Sequence, residues 1–149
     1  MVTAKELKQI LMFREVPEPV LKLVAEAAEE LTCAPGDRIA SENEPAKGLY
    51  LIRSGTVRAT REGVPTPVTF GTGQSLGQMS LLDGGPVSMT AEVMERTELI
   101  LLRPQRLLEK LAGNHEAGFV LFRAVARSLA SRLRLAVDAV TLAHERPGA

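Results

Sequence analysis

Aromatic residues are scarce in this chain. Four Phe, one Tyr and no Trp make up 3% of its 149 residues. Aliphatic side chains must therefore fill the core, and a nucleic-acid strand finds no row of rings on which to stack. Cysteine is scarcer still. The lone Cys33 excludes an internal disulfide, a cysteine metal site and an iron–sulfur cluster. It is the one soft candidate for a haem ligand, and it reads more simply as a buried apolar residue. The two histidines, His115 and His144, stand at opposite ends of one helical stretch, about 40 Å apart at the helical rise per residue. They cannot share a metal within one subunit, and no Ser or Cys has a histidine near it in a nucleophile pattern. These absences argue against an enzyme and against a bound metal.

Excess charge of either sign is also missing. Lys plus Arg and Asp plus Glu number 18 each, so the chain as a whole has no strong pull on nucleic acid or an anionic membrane. No apolar run is long enough to cross a bilayer. The first residues, MVTAKELKQILMF, are amphipathic and charged, without the apolar run and cleavage site of a signal peptide. One soluble, cytoplasmic domain over residues 1–149 is the expectation. Aliphatic residues are abundant: hydrophobic content is 45%, enough for a real core.

In chain order, Leu7, Ile10 and Leu11 set a helical spacing over Thr3 to Met12. Pro17 and Pro19 suit the start of a second helix. It is predicted to run to Leu31, with Val20, Leu23, Val24, Ala27 and Leu31 on one face and Glu26, Glu29 and Glu30 in solvent. Short strands with Gly and Pro turns follow over residues 32–103: Arg38 to Ser41, Leu49 to Arg53, Thr56 to Thr60, Thr66 to Phe70, Ser88 to Val93 and Glu98 to Leu102. Pro104 opens a helix to Leu111, and a final helix runs from about His115 to Ala143 within a helical region over 104–144. The fold class is mainly β, an antiparallel, jelly-roll-like β-roll with N-terminal helices and a long C-terminal helix.

The stretch from Gly71 to Val93 organises the rest. Gly77 permits a close backbone approach, Gln78 to Leu82 winds one helical turn, and Gly84-Gly85-Pro86 reverses the chain. The leading N–H groups of that turn have no partner within it, and Ser80, Ser88 and Thr90 bring hydroxyls close by. Leu76-Gly77-Gln78-Met79-Ser80-Leu81-Leu82 and Pro86-Val87-Ser88-Met89-Thr90-Ala91 resemble, without a gap, the phosphate-binding cassette of cyclic-nucleotide-binding domains. That family includes bacterial catabolite activators and the regulatory subunits of cAMP-dependent kinase. Pro35-Gly36-Asp37-Arg38-Ile39 is similar to the family's first turn, and Leu49 to Val57 to its Tyr-x-Ile-x-x-Gly-x-Val hairpin.

The resemblance implies a cassette over residues 71–91 and a pocket of Leu76, Gly77, Gln78, Met79, Ser80, Val87, Ser88 and Thr90. It also exposes two departures. Gln78 stands where the family's Glu receives the ribose hydroxyl, and Val87 where its Arg pairs with the cyclic phosphate. Losing one partner of a buried ion pair costs on the order of 3–5 kcal/mol, roughly a hundred- to several-thousandfold in affinity. A cation from the long helix could take over. Arg123, Arg127, Arg132 and Arg134 lie there with no acid among them; Arg127, Arg132 and Leu133 are the candidate lid contacts.

That helix carries Phe119, Phe122, Ala126, Leu129, Leu133, Ala136 and Val140 in alternating steps of three and four, a coiled-coil seam. A second stripe, Leu121, Val125, Leu135 and Leu142, lies on another face. One stripe suits the roll and the other a second copy of the chain, so a homodimer is expected. The resemblance places a DNA-binding domain after this helix in the transcription factors. Here Glu145-Arg146-Pro147-Gly148-Ala149 closes the sequence, so contact with nucleic acid by this chain alone is not expected. Two functions stay open. One is a regulatory module sensing a cyclic nucleotide or another small-molecule effector and acting on a separate output protein. The other is a ligand-free pseudo-sensor serving as a dimerisation scaffold. Val87 discriminates: if it fills the pocket the scaffold wins, and if a cavity remains with an arginine turned into it, sensing wins.

Overall fold

The computed structural model describes residues 1–145; the expected chain end at 146–149 lies outside them. Eight strands form two antiparallel four-stranded sheets. The strands are β1 (Ala28–Cys33), β2 (Arg38–Ala40), β3 (Leu49–Ser54), β4 (Thr56–Arg61), β5 (Val64–Gly71), β6 (Ser75–Leu76), β7 (Thr90–Val93) and β8 (Thr97–Leu102). Their orders are β1-β8-β3-β6 and β2-β7-β4-β5. Five helices flank the roll: α1 (Ala4–Leu7), α2 (Glu18–Ala27), α3 (Gln78–Asp83), α4 (Pro104–Leu111) and α5 (His115–Glu145), with a 3-10 turn at Leu11–Phe13.

The apolar runs in β3 and β8 are continuous because the first sheet is covered on both faces. Leu49, Leu51, Ile100 and Leu102 pack with the helices, beside Leu7, Phe13, Leu21, Val24, Leu107 and Leu121. Their neighbours Tyr50, Ile52, Leu99 and Leu101 point the other way, into the roll, and meet Val57, Ala91 and Val93 of the second sheet. Strand alternation thus serves two cores at once.

The N-terminal helices are shorter than predicted. Thr3 caps α1 through its hydroxyl, but the helix stops at Leu7, and the Leu11 N–H is taken by Gly73 O at 2.9 Å. A bond to the roll replaces the next helical bond. The second helix ends at Ala27, not Leu31. Residues 28–33 instead pair along their whole length with β8, which turns Leu31 and Cys33 toward the roll interior. Leu31 falls one helical step beyond Ala27, so its spacing mimics a continued helix while the sheet edge takes the segment. Glu29 and Glu30 consequently reach partners: Glu29 accepts from Arg103 at 2.8 Å, and Glu30 from Arg53 at 2.8 Å. Ser88 and Met89 precede β7 rather than forming its start.

The long helix divides into two parts. Ala117, Leu121 and Val125 are buried in the helical core, so the stripe expected on the body packs there in its first half. Its second half does not: Leu135 and Leu142 are exposed, as is every residue from Leu133 to Glu145. The helix runs past the roll, which is too short to cover both halves of the stripe. Of the seam residues, Phe119, Ala126, Leu133, Ala136 and Val140 are exposed and Phe122 and Leu129 are half-buried. No helix among the described residues is long and apolar enough to cross a membrane.

Candidate functional site

The cassette is placed by two glycines. Gly77 caps α3 with φ of 92°, a conformation that side chains resist. A Cβ there would also stand 2.6 Å from Gly48 O. Gly48 in turn is pressed against the Leu102 carbonyl. The strand β3 and the start of α3 are thereby held closer than any side chain would allow. At the other end, Gly84 adopts φ of 70° and donates its N–H to Ser80 O at 2.9 Å, which closes the turn. Beyond it, Val87 N donates to Glu44 O at 2.9 Å and Asn43 N donates to Val87 O at 2.8 Å. This pair of backbone bonds ties the cassette's end to the loop after β2.

These elements enclose a cavity of about 550 Å³. Its walls come from β2, the 44–48 loop, Tyr50, Ala59 and Phe70, from Leu76 to Ser80, from Val87 to Met89, and from Leu129, Arg132 and Leu133 of α5. Val87 is half-buried on the wall and leaves the space beside it open. The lining is largely aliphatic, as a chain poor in aromatic residues must make it. Phe70 and Tyr50 are the rings present, and the Tyr50 hydroxyl is spent on Ile39 O at 3.0 Å.

Where α5 crosses the cassette, four residues form one junction. Arg132 donates to Gln78 Oε1 at 2.9 Å and to Ser75 O at 2.7 Å. Gln78 Nε2 donates to Ser128 Oγ at 2.8 Å. A guanidinium only donates, so it orients the amide with its oxygen inward to Arg132 and its nitrogen toward Ser128. Gln78 is 2% exposed, with both amide ends engaged. The guanidinium also lies over the Phe70 ring, 5.5 Å from its centre. Burial pushes the Arg132 pKa down, and no carboxylate opposes that shift.

The structure brings together Leu76, Gly77, Gln78, Met79, Ser80, Val87, Ser88, Arg132 and Leu133 around the cavity. Two expected residues lie elsewhere. Thr90 is not on the wall; its hydroxyl accepts from Glu42 N at 3.1 Å, and alternation along β7 puts Ala91 on the cavity instead. Arg127 faces a second cavity of about 610 Å³, between α5 and the segment from Leu11 to Pro17, one helical position being enough to turn it from the cassette. The Ser80 hydroxyl is used within the cassette, donating to Pro86 O at 3.3 Å. Sequence reading missed Ser75, Ser128 and Phe70. Ser128 was open to detection, since it sits one turn before Arg132 on the same face. Ser75 and Phe70 become neighbours only through strand pairing.

An eight-stranded roll holding an internal cavity, with a helix laid across its cassette, is the architecture of a ligand-pocket regulatory domain. The model of the Cyclic nucleotide-binding domain family matches residues 30–114. More than half of the chain lies within that match, and the chain belongs to this family. A cAMP-dependent protein kinase regulatory subunit from Emericella nidulans is 34% identical over 77 residues, 51% of this chain and 18% of that protein. The catabolite activator protein of Thermus thermophilus superposes with a TM-score of 0.74 at 28% identity, over 88% of this chain and 62% of that one. The N-terminal domain of a transcriptional regulator from Streptomyces coelicolor gives 0.73 at 28% identity, over 91% and 94%. The chain spans less than a fifth of the length of the first curated relatives it matches.

Proposed function

We propose that this chain is a ligand-sensing module whose effector occupies the cavity beside Val87 and whose long helix carries the response to a second copy of the chain or to a separate output protein. One observation carries this reading: the cavity stays open at Val87, and Arg132 turns into its wall. A scaffold without a ligand needs no such volume. The effector would act on α5 through the junction of Gln78, Ser128 and Arg132, shifting the helix that leaves the roll. The uncovered seam through Phe119, Ala126, Leu133, Ala136 and Val140 supports a homodimer as the form in which that shift is read. Regulation in the cytoplasm, without contact to nucleic acid by the described residues, fits a module of this kind.

cAMP and cGMP fit this cavity poorly. Val87 supplies no counter-charge to a cyclic phosphate, a deficit on the order of 3–5 kcal/mol. Gln78 is neutral, and its amide oxygen already accepts from Arg132, so it is a weaker acceptor for a ribose hydroxyl than a carboxylate. Calorimetric titration of the unmodified chain with cAMP and cGMP should therefore give no micromolar binding. The double variant Gln78→Glu, Val87→Arg should gain at least about a hundredfold. Micromolar binding by the unmodified chain would overturn the charge argument. Silence from both proteins would show that the cassette no longer frames a cyclic nucleotide at all.

A further inference from the structure

Among the described residues, one charged group set into the cavity wall, rather than at its exposed rim, lacks a partner of opposite sign. Arg38 pairs with Glu92 at 3.1 Å, and Glu44 and Lys47 stand at the exposed rim. Arg132 is half-buried, and its two bonds go to neutral oxygens, of Gln78 and Ser75. A guanidinium carries five N–H donors, so donors are left over. A partly desolvated cation beside a cavity is stabilised by an anion more than by any neutral group. The rest of the wall sets a second condition. Leu76, Met79, Val87, Met89 and Leu129 offer no hydrogen bonds from their side chains, the Ser80 hydroxyl is already in use, and Ser41 and Ser88 bring the other two serine hydroxyls. Several sugar hydroxyls or a second negative charge would be stranded against the aliphatic part of the wall.

Resting on the sensing role proposed above, we infer that the effector is an apolar monoanion. Its class is an aryl carboxylate, with the carboxylate on Arg132 and the ring system in the space beside Val87, Met79 and Met89. The volume, about 550 Å³, lies in the usual range for small-molecule pockets, about 300–1,000 Å³. One cation matches one carboxylate, and the guanidinium's planar fork suits it. Phe70, its ring centre 5.5 Å from the guanidinium on the same cavity wall, helps to hold that fork in place.

The test is calorimetric titration of the full chain with 1-naphthaleneacetate and with its neutral counterpart 1-naphthaleneethanol, beside cAMP. The acetate should bind at least about tenfold more tightly than the alcohol, the difference a charge-assisted hydrogen bond makes. Arg132→Gln should abolish that preference, while the alcohol binds the variant within about threefold of its affinity for the unmodified chain, which reports an intact cavity. Equal binding of acetate and alcohol by the unmodified chain overturns the inference without recourse to any variant. So does a preference that survives Arg132→Gln. Micromolar cAMP binding with no response to the acetate removes this ligand class and leaves the sensing role standing. Silence toward all three compounds removes this ligand class, and the sensing role then stands or falls with other effectors.

Discussion

Arg132→Met should destabilise the domain by about 2 kcal/mol, by the following balance. The guanidinium makes bonds of 2.9 Å to Gln78 Oε1 and 2.7 Å to Ser75 O. Bonds involving a charged group contribute about 1.5–3 kcal/mol each, so the gross loss is about 3–6 kcal/mol. Three effects reduce it. Removing a half-buried cation without a counter-charge relieves its desolvation. The methionine stem still covers Phe70, recovering about 1 kcal/mol of apolar burial. Both orphaned acceptors border the cavities, so water can reach them. For a chain of this size the net loss corresponds to a fall of about 4–8 °C in Tm. Urea unfolding followed by far-ultraviolet circular dichroism suits a protein without tryptophan. A second variant, Gln78→Met, and the double variant complete a cycle in which the pair should couple by about 1 kcal/mol. A loss below about 0.5 kcal/mol on Arg132→Met would refute the reasoning, since the junction would then hold α5 no better than solvent does.

Three further outcomes follow from the same geometry. Gly77→Ala combines a left-handed backbone with a Cβ 2.6 Å from Gly48 O, whereas Gly84→Ala meets nothing within 4 Å. The first should cost more than about 3 kcal/mol and the second only the backbone strain, about 1–2 kcal/mol, by thermal melting; similar costs would contradict the close approach. Glu29 is held below the usual carboxylate range chiefly by the Arg103 hydrogen bond, and Glu30 chiefly by that of Arg53. A depressed folded-state pKa gives stability that is present above the ordinary value of about 4.3 and lost as pH falls through the lower, folded one. Urea midpoints should therefore drop more steeply in acid for the unmodified chain than for Glu29→Gln, Glu30→Gln, and parallel curves would discount both pairs. Ala136→Asp with Val140→Asp places charges on the exposed seam of α5. Sedimentation equilibrium should report a dimer for the unmodified chain, as proposed, and a monomer for this variant; the same mass for both would exclude this seam as the contact.

Residue pattern, with the family resemblance it carries, made the roll, the cassette stretch and the long helix legible. Gly77, Gly84 and Gly85-Pro86 punctuate the chain through backbone chemistry that acts locally, and the alternating steps of three and four in α5 are properties of a single helix. The two departures, Gln78 and Val87, were legible through the family resemblance, because a cassette without gaps assigns each position by counting. Tertiary structure decided the rest. The segment from Ala28 to Cys33 carries a spacing that suits a helix, and only β8, some seventy residues on, makes it a strand. Thr90 leaves the cavity because β7 pairs with β4, a contact invisible along the chain. Arg127 and Arg132 were both candidates in sequence. Their separation depends on how α5 rolls against the core through Leu121 and Val125, and that rotation aims Arg132 at Gln78 and Arg127 at the opposite cavity. Composition could say that the core would be aliphatic. Whether Val87 closed the cavity was a question of packing between elements far apart in sequence, and packing left it open.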